Sequence, residues 1–164
     1  MEKITLTIDG TSAQTFKGRT ILEACLDNGI HIPNLCYHQD VKPAGVCRMC
    51  AVELKGRGLV VSCMTPAEDG LEITTENEKI NLIRKTALSM LVMDNHVECN
   101  VCAKNTECRL QSEVKDAGIS KEDLEGLQEQ DTLKFHDSSN PFFDRDMDKC
   151  ILCGICVRTC EEIA

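Results

Sequence analysis

The first apolar pattern in the chain has a period of two. Ile4, Leu6 and Ile8 alternate with Thr5 and Thr7, Asp9-Gly10 supplies a turn, and Gln14 to Phe16 reads as the returning strand of a hairpin. The period then changes. Thr20 and Glu23 stand at capping-box spacing, and Ile21, Leu22, Cys25 and Leu26 place one apolar face on the helix they open, which Asn28-Gly29 ends. Farther on, Ala51 to Leu54 and Leu59 to Ser62 are predicted strands joined by Lys55-Gly56-Arg57-Gly58, and Leu71 to Thr75 is another. Short strands and one helix in the first ~75 residues predict a compact α+β unit.

From Glu78 to Met93 the spacing becomes helical. Ile80, Ile83, Ala87, Met90 and Leu91 recur on one face, predicting a long helix with its methionines as core filler. Residues 111–133 are strongly charged. Ser120-Lys121-Glu122-Asp123 reads as a helix start there, and the acidic run from Glu122 to Asp131 as a solvated face. Leu133 and Phe135 are a candidate short strand, and Asn140-Pro141 marks a boundary.

Composition changes this picture in two ways. Aromatic residues make up 3% of the chain and Trp is absent, so the core is aliphatic and small, whereas the 164 residues include 12 cysteines. Metal bound by such cysteines stabilises whatever fold presents them. The opening MEKITLTIDG has no apolar export signal, and no stretch is long and apolar enough to span a bilayer. A reducing, cytoplasmic compartment is therefore expected, in which clustered cysteines are metal ligands before they are disulfides. With 27 acidic against 18 basic residues and a formal net charge of −9, the chain lacks the electrostatic footprint of a nucleic-acid or anionic-membrane binder.

Eleven of the cysteines fall into three groups. Cys36, Cys47, Cys50 and Cys63 are spaced C-x10-C-x2-C-x12-C, three of them on a loop that carries Gly45 and the fourth after an apolar run. That layout suits a plant-type [2Fe–2S] cluster, which takes two thiolates on each iron; Gly45 gives the loop the backbone freedom to curl round it. A zinc site is the competing reading, although structural zinc usually draws on two CxxC knuckles and only Cys47 and Cys50 form one. Cys99, Cys102 and Cys108 follow as C-x2-C-x5-C, one ligand short of a cubane, and His96 stands three residues before Cys99 as a workable fourth ligand. The last group, Cys150, Cys153, Cys156 and Cys160, has the C-x2-C-x2-C-x3-C spacing of bacterial-type ferredoxins, which winds three thiolates round a [4Fe–4S] cubane. Cys160 either completes that cubane or leaves the position to a partner or to a longer chain. Cys25 fits no ligand spacing and reads as a small buried hydrophobe.

With all three groups in view, the segments GVCRMCAVEL, SCMTPAEDGLEITT, NHVECNVCAKNTECRLQ and DKCILCGICVRTCEE make nearly the whole chain resemble one known family. It is the N-terminal electron-relay region shared by the large iron–sulfur subunit of respiratory complex I, iron-only hydrogenases and NAD-dependent formate dehydrogenases. The resemblance implies a β-grasp [2Fe–2S] ferredoxin domain over residues 1–76, with Cys36, Cys47, Cys50 and Cys63 as ligands. It implies next a small helical His/Cys3 [4Fe–4S] module over 77–138, held by His96, Cys99, Cys102 and Cys108, and then a partial bacterial-type ferredoxin segment over 139–164. One spacing departs from the family: two residues rather than three separate His96 from Cys99.

The function expected from these readings is an electron-transfer subunit rather than a stand-alone enzyme, carrying one [2Fe–2S] and one or two [4Fe–4S] clusters. The resemblance implies a flavin- and NAD(H)-binding oxidoreductase subunit as one partner and a second redox subunit as the other. No segment of the sequence has a flavin or nicotinamide fingerprint. The alternatives are a zinc-stabilised assembly module, or the N-terminal fragment of an iron-only hydrogenase or formate dehydrogenase.

Overall fold

The alternation of Ile4, Leu6 and Ile8 becomes a strand, β1 (Lys3–Ile8), whose three aliphatic side chains are buried while Lys3 and Thr5 face solvent. The structure is a computed structural model that describes residues 2–93, 99–120, 123 and 136–163. Asp9 and Gly10 both take positive φ, 48° and 79°, the primed turn that matches the twist of a hairpin. They return the chain into β2 (Thr11–Phe16), which pairs antiparallel with β1 along its whole length and begins before the expected Gln14. Helix α1 (Ile21–Asp27) then opens on a complete capping box: Thr20 Oγ1 accepts from the Glu23 N–H, and Glu23 accepts from the Thr20 N–H at 2.7 Å. Substituting Thr20 by alanine is expected to cost about 1 kcal/mol in denaturant unfolding, the usual value of a lost N-cap.

An irregular loop separates α1 from β3 (Ala51–Leu54), and β3 turns into β4 (Gly58–Val61), as the sequence predicts to within a residue. A final short strand, β5 (Glu72–Thr74), inserts parallel to β1 and antiparallel to β3. The sheet order is β2-β1-β5-β3-β4, so the first and last strands of the unit lie side by side at its centre. Its core is aliphatic: Ile4, Leu6, Ile8, Ile21, Leu22, Val52, Leu54 and Ile73 are buried in one cluster, which also takes in Cys25, Cys50 and Cys63.

Helix α2 (Glu78–Met93) has the predicted ends but not the predicted face. Met90, expected inside, is 62% exposed, and the buried residues are Ile80, Leu88 and Val92. These stand on one i, i+4 row together with Arg84, and the charged residue in that row is what hid the stripe from a hydrophobicity reading.

The chain divides into two compact units, Met1–Arg84 with Gly154–Ala164, and Lys85–Cys153. In the second unit a 3-10 turn at Cys99–Val101 precedes α3 (Arg109–Asp116). A two-stranded antiparallel sheet, β6 (His136–Asp137) and β7 (Arg145–Asp146), encloses Asn140-Pro141 in its connection. The expected helix start at Ser120 has reciprocal bonds, Ser120 N–H to Asp123 Oδ2 at 2.9 Å and Asp123 N–H to Ser120 Oγ at 3.2 Å. The expected strand at Leu133 and Phe135 lies outside the described residues. The C-terminal helix, α4 (Ile155–Glu162), belongs to the first unit. Among the described residues no helix is long and apolar enough to cross a membrane.

Candidate iron–sulfur centres

The β3–β4 hairpin places the first group of cysteines. Ala51 pairs with Val61, so Cys50 and Ser62 stand opposite each other at the next step, and the Cys50 carbonyl accepts from both the Ser62 N–H at 3.0 Å and the Ser62 hydroxyl at 2.7 Å. Cys63 is thereby fixed beside Cys50. The turn after Cys63 is held in its own right, because the first N–H groups of α1 donate to it: Leu22 to the Ser62 carbonyl at 3.1 Å and Ile21 to Thr65 at 2.9 Å. Donors that a helix start leaves without partners thus anchor the segment that closes the site.

Cys36 and Cys47 come from the irregular loop. Cys36, Cys50 and Cys63 are each 1% exposed and Cys47 is 7% exposed, so all four thiols are withdrawn from water. Electrostatically they couple in two pairs, Cys36 with Cys47 and Cys50 with Cys63. Backbone donors also point at sulfur, with the Cys47 N–H 3.5 Å from Cys36 Sγ and the Leu35 N–H 3.5 Å from Cys47 Sγ. The hydrogen bond from the Cys47 thiol, aided by N–H groups and opposed by burial, lowers the Cys36 pKa to about 6. In the same way the Cys63 thiol brings Cys50 down to about 7, while Cys47 and Cys63, the donors of the pairs, are pushed up. One member of each pair thus favours the thiolate that iron requires.

This donor set fits a two-iron cluster better than a single ion. A tetrahedral zinc site brings four sulfurs to one point. Here two thiols come from the loop before β3 and two from the end of the β3–β4 hairpin, and among the described residues no three His, Cys, Asp or Glu side chains converge closely enough for one metal ion.

The loop curls through two left-handed residues, Gly45 at φ 64° and Arg48 at φ 58°. Gly45 is constrained by space as well as by conformation, since a Cβ there would lie 2.8 Å from Met64 Cγ. Gly45→Ala is expected to cost about 2 kcal/mol, strain and repacking together. Bleaching by a chelator, followed in the visible spectrum, is the check, and the variant should lose colour several-fold faster than the wild type.

Cys25 is fully buried in the α1 core, where burial and the nearby Asp9 charge raise its pKa to about 11. An inert thiol is the result, in line with the sequence reading.

Of the second group, Cys99 opens the 3-10 turn, Cys102 donates its N–H to the Cys99 carbonyl at 3.2 Å, and Cys108 is the N-cap residue of α3. All three are half-buried. The loop between them is pinned by Gln111, which accepts from the Thr106 N–H at 2.9 Å and donates to Asn105 Oδ1 at 3.0 Å. His96 lies outside the described residues.

In the third group Cys150 follows a 3-10 turn at Met147–Lys149, and Cys153 is reached through Leu152, at φ 53°. Both fall in the second unit and are half-buried. Gly154, at φ 66°, starts α4, which carries Cys156 and Cys160 one turn apart and exposed, in the first unit.

Three residues of these sites were not foreseen from the sequence. Ser62 is fully buried and fastens the Cys50 carbonyl. Arg84 donates to the Met49 carbonyl at 3.1 Å, to Ala51 at 2.8 Å and to Thr75 at 3.0 Å, gripping the backbone on both sides of Cys50. Arg158, between Cys156 and Cys160, reaches the cluster loop. The one available signal was a lone arginine in the apolar row of α2.

Comparison with known proteins bears on the chemistry. The family profile of the 2Fe–2S iron–sulfur cluster binding domain matches residues 1–78, and that of the NADH-ubiquinone oxidoreductase-G iron–sulfur binding region matches residues 84–123. The chain thus carries a [2Fe–2S] domain followed by a [4Fe–4S] region within a mixed α+β fold. Among curated proteins it is 35% identical over 161 residues to the NADPH-Fe(3+) oxidoreductase subunit alpha of Geobacter sulfurreducens, covering 98% of this chain and 19% of that one. It is 36% identical over 169 residues to the NADP-reducing hydrogenase subunit HndD of Solidesulfovibrio fructosivorans, covering 99% of this chain and 28% of that one. The chain therefore spans well under a third of either relative. A chain of a solved NAD+-reducing [NiFe]-hydrogenase in the H2-reduced state superposes with a TM-score of 0.88 at 35% identity, over 98% of this chain and 67% of that one.

Proposed function

Because the chain belongs to the family of iron–sulfur modules shared by complex I-type NADH oxidoreductases, NAD(P)-linked hydrogenases and formate dehydrogenases, we propose that it relays single electrons between a flavin- and NAD(H)-binding subunit and a second oxidoreductase subunit. The observation that carries this reading is the set of four buried thiols, Cys36 and Cys47 on the loop before β3 and Cys50 and Cys63 at the end of the β3–β4 hairpin, with backbone N–H groups aimed at two of the sulfurs. These four thiols would hold a [2Fe–2S] cluster, two to each iron. The cluster, when bound, takes up and releases one electron without a proton-transfer partner.

The polypeptide's part is to hold and insulate. Burial of the four thiols keeps water from sulfur, and the N–H groups of Leu35 and Cys47 meet the negative charge that thiolates carry. Ser62 and Arg84 keep the Cys50 backbone in place while charge comes and goes. A site that does not rearrange loses little energy to reorganisation on each transfer.

In the same reading residues 1–76 form a β-grasp ferredoxin domain, a topology supported by the central parallel pair β1–β5. Residues 77–138 are the His/Cys3 module, with His96, Cys99, Cys102 and Cys108 on a [4Fe–4S] cubane. Residues 139–164 supply Cys150, Cys153, Cys156 and Cys160 to a further [4Fe–4S] cluster, and the working compartment is the reducing cytoplasm.

The test is anaerobic capture of the tagged chain from its native host, followed by addition of NADH or NADPH to the captured complex. The expected result is a co-purifying flavin subunit and bleaching of the clusters within seconds of adding nicotinamide. Clusters that stay oxidised in a complex whose flavin is reduced would refute the relay.

A further inference from the structure

Helix α4 has two faces. Cys156 and Cys160 stand one turn apart on one side, and Arg158 and Glu162, also one turn apart, on the other. The second face clasps the [2Fe–2S] loop. Arg158 Nη2 donates to the carbonyl of Cys36 at 2.6 Å, and Nη1 donates to the carbonyl of Lys42. Glu162 Oε2 accepts from the Lys42 N–H at 2.9 Å, so Lys42 is held through both of its backbone groups. Residues 122 positions apart in sequence are joined in this way.

We propose that Arg158 is a positioning residue that ties the C-terminal cysteine helix to Cys36 and thereby raises the reduction potential of the [2Fe–2S] centre. The inference rests on the reading that Cys36 is a ligand of that centre. A guanidinium is always charged, and its planar fork suits two carbonyls at once, which an ammonium cannot match. Reduction of the cluster adds one negative charge. A fixed positive charge bonded to the carbonyl of a ligand residue, at a partly buried contact, favours the reduced form. The same contact makes the centre responsive to α4: whatever fixes Cys156 and Cys160 also fixes the charge beside Cys36.

The experiment uses the full chain, purified without oxygen, with iron and sulfide analysis and an EPR-monitored redox titration of the [2Fe–2S] signal. Arg158→Gln removes the charge at similar length, and Arg158→Lys keeps the charge but not the fork. In Arg158→Gln the reduction equilibrium is expected to fall at least about threefold, a shift of about 28 mV at 59 mV per decade for one electron. Arg158→Lys is expected to recover most of that shift. If Arg158→Gln loses its [2Fe–2S] iron, the potential is read in Arg158→Lys, whose single-carbonyl contact should leave it measurably below the wild type, and an unchanged potential there overturns the proposal. An unshifted potential at full iron content, or equal loss of iron from both variants, overturns it. A wild-type protein with no [2Fe–2S] signal refutes the ligand reading instead, and the two failures are distinguished by the wild-type spectrum.

Discussion

Replacing Cys63 by alanine is expected to abolish the [2Fe–2S] absorption and EPR signal and to leave the [4Fe–4S] signal in place. Cys63 is 1% exposed and couples to Cys50, and the other buried thiol of that core, Cys25, is held in the α1 helix with its pKa raised to about 11, so it is a poor replacement. Ligand removal should exceed the roughly 10- to 100-fold loss of metal affinity that follows from substituting even the groups behind a ligand. Selectivity follows from the division of the chain, because Cys63 lies in the first compact unit and Cys99, Cys102 and Cys108 in the second. Iron and sulfide analysis with EPR of the reduced variant measures both parts of the prediction. A retained [2Fe–2S] signal would remove Cys63 from the ligand set.

Arg84→Leu is expected to destabilise the first unit by about 3 kcal/mol, judged from hydrogen bonds to charged donors worth ~1.5–3 kcal/mol each and not fully additive. Three carbonyls, of Met49, Ala51 and Thr75, lose their donor together, and two of them flank Cys50. A buried carbonyl without a partner is costly, so leucine's better fit to the apolar row of α2 does not compensate. Arg84→Lys should lose less, since an ammonium can still reach one carbonyl but not all three. Denaturant unfolding followed by far-UV circular dichroism and by visible bleaching gives the two numbers. A change below about 1 kcal/mol for Arg84→Leu would show that these bonds are matched by water in the variant.

How much was legible beforehand follows from where the information sits along the chain. The hairpin at Asp9-Gly10, the capping box at Thr20 and the ends of α2 are written in near neighbours, and the structure has each of them. The burial of Cys36, Cys47, Cys50 and Cys63 in one region agrees with the grouping their spacing suggests, and Gly45 was read as freedom for the loop to curl, whereas its positive φ and its close approach to Met64 come from the fold. The supports were not legible. Ser62, Arg84 and Arg158 act on backbone carbonyls, which every residue possesses and no side-chain pattern marks. Arg84 did more than go unseen: a charge in an apolar row shifted the predicted face of α2 and put Met90 inside when it is exposed. The β6–β7 pair was missed because strands of two residues carry no periodicity.

Whether these thiols hold iron is decided on protein purified without oxygen, by metal analysis together with EPR after dithionite reduction. Iron with inorganic sulfide is expected, with two separable signals, one of [2Fe–2S] and one of [4Fe–4S] type. Colourless protein carrying stoichiometric zinc and no EPR signal would contradict the assignment of iron to these thiols.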